Sequence, residues 1–76
     1  MHIEKLLSMA NDIANFFNAE SDKDIAAEGV KKHILRSWDP RMRKAIIQHY
    51  TAANGEGLSP LAGNAIKKLS EMKDDN

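Results

Sequence analysis

Cysteine is absent from this 76-residue chain. Disulfide staples, thiolate zinc sites and cysteine nucleophiles are excluded with it. The absence fits a reducing compartment, and a cytoplasmic location is expected. Aromatic residues make up only 5% of the chain, with one tryptophan and one tyrosine. No apolar run approaches the ~20 residues of a membrane-spanning helix, so no membrane association is expected. The start, Met1-His2-Ile3-Glu4-Lys5, lacks the basic region, apolar block and cleavage site of a signal peptide. Charge of one sign is not in excess either: 11 Lys and Arg balance 11 Asp and Glu. With 42% apolar residues and no net charge, the composition is not that of a disordered chain. Neutrality removes colloidal repulsion and favours association.

The length allows one domain at most. It is expected over residues 1–72, followed by a frayed polar tail at 73–76. A chain this short buries only about 60% of the surface its unfolded form exposes. Its core supplies roughly 3–5 kcal/mol, which leaves little room for a deep active-site cavity.

Helical periodicity recurs in four segments. Ile3, Leu6, Leu7, Ala10, Ile13, Ala14 and Phe17 follow the i, i+3, i+4, i+7 pattern. Met9 and Phe16 widen that stripe, so the first helix, from about Ile3 to Asn18, should pack on more than one partner element. Ser21-Asp22-Lys23-Asp24 resembles a capping box and predicts a second helix starting at Ser21. Its apolar face holds Ile25 or Ala26, Val30, Ile34 or Leu35, and Trp38. Gly29 lies mid-helix, which points to close approach of another helix, with a hinge as the alternative. Asp39-Pro40 ends that helix and opens a third, because a residue before proline is pushed out of the helical region. Asp39 can cap with Pro40 at the first helical position. The third helix runs to about Ala53, with Met42, Ile46, Ile47 and Tyr50 inward. Gly55 suits a left-handed residue after it. Leu58-Ser59-Pro60 repeats the device and opens a fourth helix to about Met72, with stripe Leu61, Ala62, Ala65, Ile66, Leu69 and Met72. The expected fold is all-α, a small compact bundle of four helices. The tight Asp-Pro joint should set the second and third helices at a steep angle rather than as a hairpin.

Charge is unevenly placed. Residues 1–28 hold two Lys and six acids, residues 29–49 six bases and one acid, and residues 50–76 three Lys and four acids. The basic middle is a solvated face, a protein interface, or a contact for nucleic-acid phosphates. Against the last, a nucleic-acid-binding domain is usually basic overall. A helix-turn-helix reading of the joint also lacks base-reading residues after Pro40. His2, His33 and His49 show no metal-ligand spacing, and Gly55-Glu56-Gly57 lacks the lysine of a phosphate loop. No Ser-His-Asp set can be assigned. No catalytic residue, cofactor site or metal site is expected, and the chain is not expected to be an enzyme by itself.

Trp38-Asp39-Pro40-Arg41-Met42-Arg43 places the only tryptophan, a rigid turn and two guanidinium groups within six positions. Trp and Arg dominate interface hot spots because they join large area to fixed hydrogen-bond geometry. Trp38 is alternatively a core residue closing the second helix, whereas core packing does not need Arg41 and Arg43.

Several stretches, in order, resemble a known family. They are Lys5-Leu6-Leu7-Ser8-Met9-Ala10-Asn11 with Ile13-Ala14 and Phe16-Phe17, then Gly29-Val30 and His33, then the Trp38–Arg43 stretch, then Gly57-Leu58-Ser59-Pro60-Leu61. Together they resemble the small delta subunit of soluble, molybdenum-containing, NAD-dependent formate dehydrogenases, over about residues 3 to 69. The second helix departs from the pattern in being more basic at Lys31-Lys32, and the connection after Phe17 is short and polar. The resemblance implies a non-catalytic accessory subunit. In such enzymes formate is oxidised at a molybdenum cofactor in the large subunit, and electrons leave through iron–sulfur clusters and flavin to NAD. The delta subunit is associated with assembly, stability or cofactor insertion.

The leading expectation is thus a module that binds the large molybdenum-containing catalytic subunit. Trp38, Arg41, Met42 and Arg43 would carry the contact, with His33 and Arg36 at its rim. The alternative is a small nucleic-acid-binding regulator using the basic 31–44 stretch. A third option is a homodimer of the isolated chain.

Overall fold

Asp39 and Pro40 divide the molecule as their chemistry demands. In the computed structural model, which describes residues 2–72, the Asp39 side chain accepts from the backbone N–H of Arg41 at 2.9 Å and of Met42 at 3.1 Å. Pro40 follows at the first helical position. Four helices are found among the described residues: α1 (Ile3–Phe17), α2 (Lys23–Ser37), α3 (Pro40–Ala53) and α4 (Pro60–Glu71). No strand occurs among these residues, so the all-α bundle is as expected. The expected tail at 73–76 lies outside the described residues.

Helix ends differ from expectation at the start of α2 and at the end of α4. Asp22, not Ser21, caps α2: its Oδ1 accepts from Asp24 N–H at 3.0 Å and Ile25 N–H at 3.2 Å. The return arm of the cap comes from Glu20, whose carboxylate accepts from Asp22 N–H at 2.9 Å. Two adjacent residues could both cap, and the longer reach of Glu20 decides in favour of Asp22. After α3, Gly55 is left-handed as expected (φ 71°), and Asn54 before it takes that conformation too (φ 55°). Asparagine tolerates that region because its short side chain bonds locally. Met72 follows α4 as its cap and is 42% exposed, so it does not continue the inner stripe.

The short link between α1 and α2 is held by one cation. Lys23 Nζ donates to Asn18 O at 2.8 Å, Asn18 Oδ1 at 3.1 Å and Glu20 O at 2.9 Å. A positive charge there complements the carbonyl end of α1.

The core draws on every helix: Leu6, Ala10 and Ala14; Ala26, Ala27, Val30 and Ile34; Ile46; and Leu61, Ala62, Ala65, Ile66 and Leu69. Ala26 and Ile34 are the inward members of the two ambiguous α2 pairs. α1 and α4 each touch all the other helices, and the broadest contact is between α2 and α4. α2 and α3 barely meet although only two residues separate them. They therefore flank α1 and α4 instead of forming a hairpin with each other. At the α2–α4 seam, Lys68 reaches Asp24 at 2.8 Å and Glu28 at 3.6 Å.

Candidate functional site

Two surfaces bear on partner binding: the corner between α2 and α3, and the face where α1 meets α2. At the corner, Trp38 N–H makes the last bond of α2 to Ile34 O at 2.9 Å, and its backbone then turns extended. The indole side points inward. Trp38 is 4% exposed and belongs to the core.

Arg43 locks the corner from outside. Its Nη1 donates to the Trp38 carbonyl at 2.6 Å, and its N–H bonds Asp39 O at 3.1 Å. Arg43 is half-buried, whereas Arg41 is exposed. Met42 is half-buried and packs on the core. Arg36 is exposed in the last turn of α2. Arg36, Arg41 and Arg43 thus flank one joint in sequence. His33, one turn before Arg36 on α2, lines the α1–α2 face.

Electrostatics separate the basic residues into two groups. Lys31 is tied to Glu28 at 3.1 Å. Lys32, Arg36, Arg41, Arg43 and Lys44 join no ion pair among the described residues. Hydrogen bonding from Lys31, reinforced by Lys68, holds the Glu28 carboxyl below its ordinary pKa of 4.5 despite some desolvation. Hydrogen bonding to Asp24 raises Lys68 above its ordinary 10.5.

The α1–α2 face contains residues that sequence reasoning did not single out as functional. Phe16 is 78% exposed, and beside it lies a concavity of about 330 Å³ lined by Asp12, Ile13, Phe16, Phe17 and His33. Its signal was present as the extra width of the α1 stripe. Periodicity does not say which edge of a wide stripe goes uncovered. Among the described residues, no group of three or more His, Cys, Asp or Glu is placed to hold a metal ion. His49 instead braces the loop before α4, its Nε2 2.6 Å from Glu56 O. No helix among these residues is long and apolar enough to cross a membrane.

One further contact joins two stretches distant in sequence. Asn11 Nδ2 donates to Gly57 O at 2.9 Å, and Asn11 Oδ1 accepts from Ser59 N–H at 2.8 Å. Gly57 sits at φ 92°, and a Cβ there would lie 2.9 Å from Leu7 Cδ1. The positive φ demands a glycine at 57, and Asn11 of α1 clamps the approach to α4 through it.

Comparison with curated proteins found no match, and neither did comparison with solved structures. A family model described as NADH-dependent formate dehydrogenase delta subunit, FdsD, matches residues 5–66. That span takes in the Asn11 clamp, the Trp38–Arg43 corner and most of α4, and the chain belongs to this formate dehydrogenase delta-subunit family.

Proposed function

We propose that this chain is a non-catalytic accessory subunit of an NAD-dependent formate dehydrogenase in the cytoplasm. It binds the large molybdenum-containing subunit and supports assembly, stability or cofactor insertion of the complex. The observation that carries this reading is the family match over residues 5–66. The corner supplies suitable contact chemistry. Arg41 offers its guanidinium to solvent, Arg43 and Met42 are partly accessible, and Arg36 stands one turn before the joint. Trp38 is buried and its carbonyl accepts from Arg43, so its role is to hold the corner in shape. His33 extends the contact towards α1. Iron–sulfur, flavin and molybdenum chemistry belong to the partner subunits in this reading.

Co-expression with a tagged large subunit tests it. The wild-type chain should be captured. The Arg41→Ala/Arg43→Ala variant should be captured far less while its helical circular dichroism persists, since losing a desolvated interfacial arginine costs roughly 2–5 kcal/mol. Undiminished capture of that variant would remove the two arginines from the interface. No capture of the wild-type chain would remove the reading itself.

The basic 31–44 stretch keeps one competitor in view. Lys32, Arg36, Arg41 and Lys44 are exposed, as a phosphate-binding surface requires. A regulator of that kind would bind duplex with affinity falling steeply as salt rises. Absence of duplex binding at low salt would end that alternative.

A further inference from the structure

Phe17 lays its ring over Gly29 of α2, where a Cβ would stand only 2.6 Å from Cε1. Phe16 meets that ring edge-on, with centroids 5.1 Å apart and planes at 88°. Phe16 is thus braced from one side, yet it remains largely in water. Burying a phenylalanine is ordinarily favourable by about 1.5–3 kcal/mol. A supported ring beside an apolar hollow has the form of one half of a contact.

Cations share the α2 side that carries Gly29, under the Phe17 ring. Lys32 and Arg36 lie four residues apart on α2, next to the hollow-lining His33, and both are exposed. Residues at that spacing share one side of a helix. Ile25, 57% exposed, precedes Gly29 by one turn and falls on that side too. The only carboxylate lining the hollow is Asp12, on the α1 side.

We propose that the α1–α2 hollow is a docking site for an acidic segment of the large subunit, with an apolar side chain inserted beside Phe16 and carboxylates facing Lys32 and Arg36. This rests on the accessory-subunit reading and names the surface and chemistry of its partner. Charge decides the occupant. In a two-fold pair this face would meet itself, setting one lining carboxylate, Asp12, against two cations, Lys32 and Arg36. Duplex phosphates would satisfy the cations and leave the apolar hollow unfilled. An acidic segment with an apolar anchor satisfies both halves.

The test is the affinity of the large subunit for three purified chains: wild type, Phe16→Ala and Lys32→Glu/Arg36→Glu. Both substitutions lie on exposed positions, and circular dichroism checks that each chain is folded. Phe16→Ala should weaken binding roughly tenfold or more, as truncating an anchor does. The charge-reversed chain should bind at least as weakly, and its affinity should depend less on salt than that of the wild type. If the wild type binds and both variants match it, this docking site is wrong while the accessory-subunit reading stands. If the wild type does not bind, both fall. A homodimer of the isolated chain abolished by Phe16→Ala, or salt-sensitive duplex binding abolished by Lys32→Glu/Arg36→Glu, would assign the hollow to another occupant and overturn the proposal.

Discussion

Gly29 and Gly63 are both helical glycines, and their surroundings give them opposite roles. A methyl group at 29 would collide with the Phe17 ring at 2.6 Å, whereas nothing lies within 4 Å of one at 63. Helix propensity alone favours alanine at either site by about 1 kcal/mol. At 63 that gain is unopposed, so Gly63→Ala should raise stability by roughly 0.5–1 kcal/mol in thermal or urea unfolding. At 29 the ring must be displaced, and overpacking costs about 1–3 kcal/mol. Gly29→Ala should therefore destabilise the protein, and the sign should reverse in a Phe17→Ala background. Stabilisation by Gly29→Ala with Phe17 intact would show that the ring moves aside freely.

Between elements, single side chains carry much of the order. Asn11 bonds both sides of the loop that leads into α4. Asn11→Ala removes two hydrogen bonds and should cost about 1–2 kcal/mol, with faster amide exchange at Ser59 than elsewhere in the chain. Unchanged exchange there would deny the clamp. Across the α2–α4 seam, protonation has a definite sign. Glu28 is held below 4.5, so its contribution is complete above that value and is lost as pH falls through its lowered pKa. Lys68 is raised above 10.5, so its contribution is complete below that value and is lost as pH rises through its raised pKa. Glu28→Gln should flatten the acid side of a stability–pH curve relative to the wild type. Both side chains are partly exposed, so added salt should shrink the difference. An identical acid limb in the variant would contradict the coupling.

Over the whole molecule, local chemistry was the most legible part of the sequence. Asp39-Pro40 and Ser59-Pro60 mark helix starts because cap and proline act within one turn. The start of α2 slipped by one residue because Ser21 and Asp22 could each cap, and the choice depends on where Glu20 reaches. What pattern could not supply was anything set by distant residues. The Asn11 clamp spans 46 positions to Gly57. The seat of the Phe17 ring depends on a glycine in the next helix. Trp38 shows the same limit: its type fits either a core or an interface, and only packing places it inside at 4% exposure. The corner and the α1–α2 face together leave an uncovered cationic and apolar surface on a chain with no net charge. The most direct measurement of what that surface is for is sedimentation velocity of the chain mixed with purified large formate dehydrogenase subunit. The expected result is one co-sedimenting boundary heavier than either component, with the free chain depleted. Two independent boundaries at every concentration would contradict a role in that complex.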